Sequence, residues 1–247
     1  MVDVGAELGA QSYCFRNFKD NAQVIQLLKQ AGLNKVELCG VHVNFSLQDR
    51  FDEIISLYKR NGVGIVSIGV QRFSGEEKLE TKFFEFAKRA GAKVISADFT
   101  IGSIPRSLKI AEKLTEKYDI KLAIHNHGGR HWLGCADCLR HQFAVSSPRI
   151  GLCLDTAWAL DSGEDPVAMA EQFAGRLYGL HIKDFVFDRA RKPEDVVVGT
   201  GNLDLKRLLH TLQEIDFKGF AVIEYEGSPE NPVPAVKSCA EAVKRLL

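Results

Sequence analysis

NAQVIQLLKQAG, residues 21–32, runs directly into LNKVELCG, residues 33–40. The first segment has apolar residues at helical spacing and closes on a glycine, which can take the left-handed conformation that ends a helix. The second contains a short apolar run, as in strands that are buried on both faces. This stretch therefore predicts an amphipathic helix, a glycine stop and a buried strand in direct succession.

The same unit recurs along the chain. Two further clear copies are FDEIISLYKRNG (51–62) with VGIVSIGV (63–70), and ETKFFEFAKRAG (80–91) with AKVISADF (92–99). Less regular copies follow, including one whose helix is expected in 131–147, and LGAQSYCF (8–15) adds an opening strand. Eight strands in strict alternation with eight helices predict an α/β fold, a single (β/α)8 TIM barrel domain over residues 1–247.

An open doubly wound sheet is the alternative for this alternation. Such a sheet usually carries a glycine-rich phosphate loop after its first strand, and LGAQSYCFRNF (8–18) is not one. The GTG of VVGTGNLDL (197–205) lacks the context of a nucleotide fingerprint. The closed barrel is therefore the preferred prediction.

Composition excludes several classes of partner. The 32 basic and 32 acidic residues cancel, so bulk charge does not indicate a nucleic-acid partner. No apolar stretch approaches the roughly 20 residues of a membrane helix. The start, MVDVGAELGAQ, lacks the basic-then-apolar order of a secretory signal. We therefore expect a cytoplasmic protein with no membrane partner.

The cysteines are expected to be reduced packing residues. Several of the six lie inside apolar runs, where cysteine behaves as a small hydrophobe. Cys135 and Cys138 have CxxC spacing, but no second pair and no thioredoxin-type strand accompany them. Their spacing favours packing over a zinc or redox role.

Four apolar runs in the second half of the chain end in a polar side chain. These are His125 in KLAIHNH, Asp155 in IGLCLD, His181 in LYGLHIKD and Glu224 in FAVIEYE. Burying an unpaired carboxylate or ring nitrogen is costly, and parallel strands all end at one face of a barrel. The four residues, called the quartet below, therefore predict one divalent-metal site.

The alternative is that loop amides or a nearby arginine satisfy each quartet residue separately. A mixed set of imidazoles and carboxylates suits Mn²⁺, Mg²⁺, Co²⁺ or Zn²⁺ and does not choose among them. Because side chains alternate along a strand, His127 is expected on the side of His125, Lys183 on that of His181, and Glu226 on that of Glu224.

The motifs, taken in order, resemble those of the xylose isomerase-like superfamily of TIM barrels. That superfamily also holds sugar phosphate isomerases and epimerases, inosose dehydratases and apurinic (AP) endonucleases of the endonuclease IV type. The matching motifs are VELCG (36–40), IHNH (124–127), LCLDT (152–156), HIKD (181–184), GTGNLDL (199–205) and IEYEG (223–227). The resemblance implies one metal with a ligand from each of strands five to eight, which here are the quartet residues.

Two departures from the family pattern bear on the chemistry. Epimerases and isomerases of the family commonly read ENH on the fifth strand, where this chain has His125, Asn126 and His127. They commonly carry a histidine shortly after the sixth-strand aspartate, where this chain has Trp158. Two-base epimerisation typically uses paired glutamates, and Glu224 keeps no such partner.

A dehydratase or lyase needs only one base and an acid for the leaving oxygen. One group removes the proton next to a ketone, and an imidazole protonates the leaving hydroxyl or glycosidic oxygen. His127 or Glu226 can fill such roles. The predicted catalytic residues are Glu224 as base, His127 and Lys183, although Lys183 can equally form an ion pair with Asp184 or Glu226.

Further polar or aromatic residues near strand ends are predicted to bind substrate. They are Glu37, Gln71, Asp98, Trp158 and Glu226. A structural salt bridge is the alternative for Glu37, and simple packing is the alternative to sugar stacking for Trp158. His131 is expected in a helix or loop, exposed to solvent.

The first functional hypothesis is a metal-dependent sugar or sugar phosphate isomerase or epimerase that acts through an enolate-type intermediate. The second is a keto-sugar or inosose dehydratase or lyase on the same scaffold. A non-catalytic carbohydrate-binding barrel and an AP endonuclease rank lower, because the quartet is complete and the loops are short. The expected partner is a small carbohydrate, and a homodimer is compatible with the sequence.

Overall fold

The computed structural model describes residues 7–247. Residues 1–6, which belong to the predicted domain and to the predicted leader-free start, lie outside the described residues. Ten strands occur in the described part: β1 Gly9–Gln11, β2 Lys35–Leu38, β3 Gly64–Phe73, β4 Val94–Phe99, β5 Lys121–His125, β6 Ile150–Asp155, β7 Leu177–Ile182, β8 Asp184–Phe187, β9 Pro193–Val196 and β10 Phe220–Ile223.

All strands except β8 and β9 form a closed parallel barrel in the order β1-β10-β7-β6-β5-β4-β3-β2. The described residues also contain nine α-helices: α1 Asn21–Gln30, α2 Phe51–Arg60, α3 Glu77–Ala90, α4 Arg106–Tyr118, α5 Ala136–Ala144, α6 Thr156–Asp161, α7 Pro166–Gln172, α8 Leu205–Glu214 and α9 Val233–Arg245. The fold is the predicted single (β/α)8 TIM barrel.

The sequence signals for the repeating unit act as predicted. Gly32, Gly62 and Gly91 follow the ends of α1, α2 and α3 with φ of +75°, +69° and +80°. Only glycine takes this left-handed conformation at low cost, so each helix stops there and the chain turns into the next strand. The strands β4, β6 and β7 are buried along their whole length, as their continuous apolar runs require.

The structure departs from strict alternation in two places. The helix expected in 131–147 covers only Ala136–Ala144, because the chain before it forms a loop at the end of β5. Two helices, α6 and α7, connect β6 to β7, and an antiparallel hairpin of β8 and β9 follows β7. These additions lie after strand ends, where the quartet also lies.

Membrane insertion receives no support from the described helices. None of those between residues 7 and 247 combines the length and the apolar character that crossing a bilayer requires.

Candidate metal centre and active site

The barrel brings the quartet together at its carboxyl-terminal rim, the face where the parallel strands end. His125 and Asp155 are the last residues of β5 and β6, and Asp155 pairs in register with His181 of β7. Glu224 directly follows β10. One donor atom from each of the four buried residues lies within 4.8 Å of every other. The predicted convergence of the quartet is therefore present.

The interatomic distances within the quartet point to a common centre. His181 Nδ1 lies 2.8 Å from Glu224 Oε2 and 3.1 Å from His125 Nε2. His125 Nε2 lies 3.5 Å from Asp155 Oδ2, an oxygen that is buried and accepts no hydrogen bond. Lone pairs that face each other this closely need a proton or a cation between them. Two nitrogens and two carboxylate oxygens fit a divalent cation.

Asn126, the middle residue of the His-Asn-His motif, has a structural role. Its side-chain amide donates to the backbone carbonyl of Asp155 at 2.9 Å, and its side-chain carbonyl accepts from the Asp155 amide at 2.8 Å. Asp155 Oδ1 in turn accepts from the Trp158 amide at the start of α6. These bonds fix β5 against β6 and leave Asp155 Oδ2 free to act as a ligand.

Glu37 lies beneath the quartet, and its placement differs from the expected contact with substrate. Its carboxylate is fully buried and accepts from His181 Nε2 at 2.5 Å. Three further donors complete its shell: Gln11, Ser67 and Ser96. A substrate hydroxyl has no access to this carboxylate. With Nε2 held by Glu37, His181 directs its Nδ1 at the quartet, where a cation would replace the proton on that nitrogen.

The electrostatics of Glu37 and His181 agree with this pairing. Burial on its own raises the pKa of Glu37, but the charge and hydrogen bond of His181, together with the serine hydroxyls, outweigh it and lower that pKa. Burial on its own lowers the pKa of His181, but Cys153, Glu37 and Glu224 raise it well above its usual value. Without a cation, the pair is therefore a carboxylate that orients a buried imidazolium, and metal binding at Nδ1 would release one proton.

The other quartet residues have strongly displaced pKa values. Burial, reinforced by His181, lowers the pKa of His125 to about 3, so this ring is neutral and keeps a lone pair for a cation. Burial raises the pKa of Asp155 to about 6. Burial alone would also raise the pKa of Glu224, but the charges of Lys183 and His181 lower it well below its ordinary value.

Lys183 is fully buried beside the quartet. Its ammonium forms an ion pair with Glu226 and lies 3.6 Å from Asp195 Oδ2 of β9. Burial alone lowers the pKa of Lys183, but the surrounding carboxylates outweigh it and raise that pKa above its ordinary value. Of the two alternatives considered for Lys183 pairing, the structure shows the one with Glu226.

A cavity of about 410 Å³ opens over the quartet. Four of the predicted site residues other than Glu224 line it: His125, His127, Trp158 and Glu226. Lys183 Nζ lies 5.1 Å from the centre of the Trp158 ring, which also packs edge-on against Phe185. The volume suits a small ligand such as a monosaccharide.

Three predicted substrate-binding residues lie outside the lining of this cavity, as far as residues 7–247 define it. They are Glu37, Gln71 and Asp98. Gln71 is buried with its amide nitrogen unbonded. Asp98 lies 3.4 Å from His131. His131 is in a loop, which was one of the two expected positions, but it is partly buried and not exposed.

Several residues that shape the site were not among the predicted site residues. Gln11 holds Glu37 and ends β1, so the rule of a polar residue at the end of an apolar run would have found it. Asp195 and His131 come from a hairpin and a loop, where no periodic pattern marks them.

The fold and the site define a (β/α)8 barrel with a candidate metal centre at its carboxyl-terminal rim. The family described as xylose isomerase-like TIM barrel matches residues 25–246. The chain therefore belongs to the xylose isomerase-like TIM barrel family.

Named relatives include a catabolism protein and a dehydratase. The rhizopine catabolism protein MocC of Rhizobium meliloti is 29% identical over 139 residues, 51% of this chain and 42% of that protein. Inosose dehydratase of Clostridium tetani is 23% identical over 184 residues, 69% of this chain and 60% of that enzyme. The chain thus matches less than two thirds of the length of either relative.

A solved structure shows the likeness of the whole fold. It is 3-keto-D-glucoside 4-epimerase from E. coli, which has a TM-score of 0.73 and 16% identity, covering 98% of this chain and 99% of that chain. At this identity, the likeness is one of fold alone.

Proposed function

We propose that the protein is a divalent-metal-dependent lyase that acts on a keto-cyclitol or keto-sugar. It removes the proton next to the ketone and eliminates the oxygen at the β-carbon. The observation that carries this proposal is the buried quartet beneath a cavity of about 410 Å³. The inosose dehydratases among the sequence relatives support the class of substrate and the elimination.

The quartet would hold the cation, and Glu224 belongs to this ligand set. A bound divalent cation supplies Lewis-acid polarisation of a substrate carbonyl. Glu224 is bonded to His181, and its pKa is lowered by neighbouring cationic groups, although burial opposes this. Because the cation would engage the Glu224 carboxylate as a ligand, we assign the proton transfer to another group.

Glu226 is the proton acceptor in this proposal. It lines the cavity two residues beyond Glu224, and its carboxylate is held by the buried ammonium of Lys183. Lys183 therefore acts as a positioning residue that fixes the direction of the carboxylate. Trp158 supplies an apolar wall of the same cavity on which a sugar ring can pack.

His127 faces the leaving group in this proposal. It lines the cavity, and its Nδ1 is buried, so Nε2 is the nitrogen that a ligand can reach. An Nε2 proton can be donated to the departing oxygen. When Glu226 takes the α-proton, the C–H electrons form an enolate; re-formation of the carbonyl then breaks the β C–O bond, and the oxygen leaves with a proton.

The decisive experiment replaces Glu226 by Gln and follows turnover of inososes and 3-keto-glucosides by the metal-loaded protein. We expect loss of enone formation by about 100-fold or more, with unchanged metal content. Glu230→Gln is the matched control, because Glu230 is an exposed carboxylate in the same loop. Full activity in Glu226→Gln would remove Glu226 as the base.

Epimerisation is the second candidate. The observation in its favour is that His127 and Glu226 reach the cavity from two different strand ends, so a proton can leave and return from different directions. Turnover in D₂O separates the two candidates. An epimerase incorporates deuterium next to the ketone without loss of water or of the glycosidic group, whereas a lyase releases the β-substituent.

A further inference from the structure

We propose that the end of β4 and the loop after β5 form a second site for a divalent transition-metal ion, with Asp98, His127 and His131 as its protein ligands. One donor atom from each residue lies within 4.8 Å of the other two. The proposed function uses the Nε2 side of His127 and needs no second cation, so this inference goes beyond it. The three residues are called the β4 cluster below.

Asp98 supplies the anionic ligand. It is the second-last residue of the buried strand β4 and is itself 8% exposed, yet within residues 7–247 its Oδ1 accepts no hydrogen bond. Arg72 approaches the other oxygen, Oδ2, at 3.5 Å. A buried carboxylate oxygen without a donor is costly, and a cation at Oδ1 would relieve that cost.

His127 and His131 supply the two nitrogen ligands. Their ring centres lie 4.7 Å apart, and His131 Nε2 lies 3.4 Å from Asp98 Oδ1. His127 Nδ1 is buried and has no hydrogen-bond partner in the part of the chain that the structure describes. Two imidazoles with one carboxylate are a donor set that suits Zn²⁺, Co²⁺ and related ions and leaves open positions for other ligands.

The loop that carries the two histidines is fixed against the barrel. Trp132 Nε1 donates to the backbone carbonyl of Phe99 at 3.1 Å, which ties the loop to the end of β4 beside Asp98. Gly134 passes so close to His127 that a Cβ at Gly134 would lie 2.5 Å from the His127 carbonyl oxygen. The ligand positions are therefore set by packing, as a preorganised metal site requires.

The competing explanation is an ion pair in which His131 donates an Nε2 proton to Asp98. The Leu133 amide, which lies 3.3 Å from His131 Nδ1, is compatible with that arrangement. An ion pair of this kind leaves Asp98 Oδ1 occupied and gives the chain no second metal. The number of ions bound by each chain distinguishes the two explanations.

The test is a metal count on the full-length protein after chelation and dialysis against Zn²⁺ or Co²⁺. We expect about two equivalents for the unaltered chain and about one for His131→Asn. The matched control is His141→Asn, because His141 is an exposed histidine on α5 outside the cluster, and this variant should keep both ions. A single equivalent that His131→Asn retains would overturn the proposal, whereas a single equivalent that His131→Asn loses would support the β4 cluster and count against the quartet.

Two more variants separate the β4 cluster from the quartet. Asp98→Asn should lose the same ion as His131→Asn, and the visible Co²⁺ absorption should lose the same component in both. Glu224→Gln should lose the quartet ion and retain the β4 cluster component. A failed quartet site would thus be seen separately. Two ions retained in both His131→Asn and Asp98→Asn would also overturn the proposal.

Discussion

The contact between Glu37 and His181 is the residue-scale feature on which the quartet depends. One ring nitrogen of His181 faces the quartet, and the other donates to a carboxylate buried on the opposite side. Such an arrangement fixes the ring orientation and the tautomer of a metal-binding histidine. Glu37 is therefore a positioning residue that never has to touch the substrate.

Replacing Glu37 by Gln tests this role. A neutral amide oxygen accepts from His181 Nε2 more weakly than a carboxylate, so the hold on the ring is weaker and the affinity of the quartet for Mn²⁺ or Zn²⁺ should fall by about 10- to 100-fold. Competition with a chelator measures the affinity. Glu80→Gln is the control, because Glu80 is an equally buried carboxylate that accepts hydrogen bonds from the backbone amides of the loop just before its own helix. It should lower stability without changing metal affinity, and unchanged affinity in Glu37→Gln would contradict the assignment.

The quartet was predictable from the sequence, and its support was not. His125, Asp155, His181 and Glu224 each end an apolar run, so local pattern and parallel topology were enough to bring them together. The partner of His181, by contrast, is 144 residues away and is chosen by side-chain packing across the barrel. No spacing rule encodes that contact.

At the scale of elements, the hairpin of β8 and β9 is the main addition to the predicted barrel. Asp184 begins it and accepts hydrogen bonds from the amides of Gly199, Gly201 and Leu203, each at 2.9 Å. A Cβ at Gly201 would lie 2.5 Å from Asp184 Oδ1. The glycines of the GTGNLDL motif thus allow the loop to wrap around a carboxylate of this chain, a structural role that the motif did not disclose.

The hairpin also carries Asp195 toward Lys183, with a consequence for pH. Burial, reinforced by the charges of Glu226 and Asp155, raises the pKa of Asp195 to about 7, although Lys183 and a backbone amide oppose this rise. In the unfolded chain the pKa is about 3.9. The folded protein therefore binds the extra proton, and the stabilising contribution of Asp195 is complete below about pH 4 and is lost as the pH rises through about 7.

Asp195→Asn should reveal this linkage, because asparagine does not ionise. Relative to the unaltered protein, the free energy of unfolding of the variant should rise between pH 5 and pH 8, as measured by urea unfolding at both pH values. Glu194→Gln, an exposed neighbour on β9, should show the same difference from the unaltered protein at both. A variant that becomes relatively less stable at pH 8 would show that Asp195 is ionised and paired.

For the whole molecule, the barrel could be predicted because one helix-and-strand unit repeats along the chain. Three clear copies of helix, glycine stop and buried strand near the start of the chain fixed the pattern, and its continuation fixed the number of barrel strands. The two-helix connection of α6 and α7 and the shortened α5 depart from that pattern. Both follow strands whose last residues belong to the quartet, at the carboxyl-terminal rim. Periodic residues thus predict the barrel, whereas the segments around the site depart from that period.

Metal binding should stabilise the whole barrel, because the quartet exists only when strands β5, β6, β7 and β10 are assembled. At a hundredfold excess of Mn²⁺ over its Kd, the free energy of unfolding should rise by about 2.7 kcal/mol. The corresponding Tm increase is about 5–10 °C, reversed by a chelator and measured by calorimetry. Glu224→Gln should show a much smaller increase; an equal one would place the stabilising ion elsewhere.

Pairing of β1 with both β2 and β10 closes the ring of strands. During translation, therefore, the ring stays open until the segment around residue 223 has left the ribosome. Until then the nascent polypeptide carries two unpaired strand edges, which are sites for misassembly and for chaperone engagement. Assembly of the cation-binding residues must for the same reason wait until Glu224 has been synthesised, and premature termination before Glu224 would leave a product that can neither close nor bind.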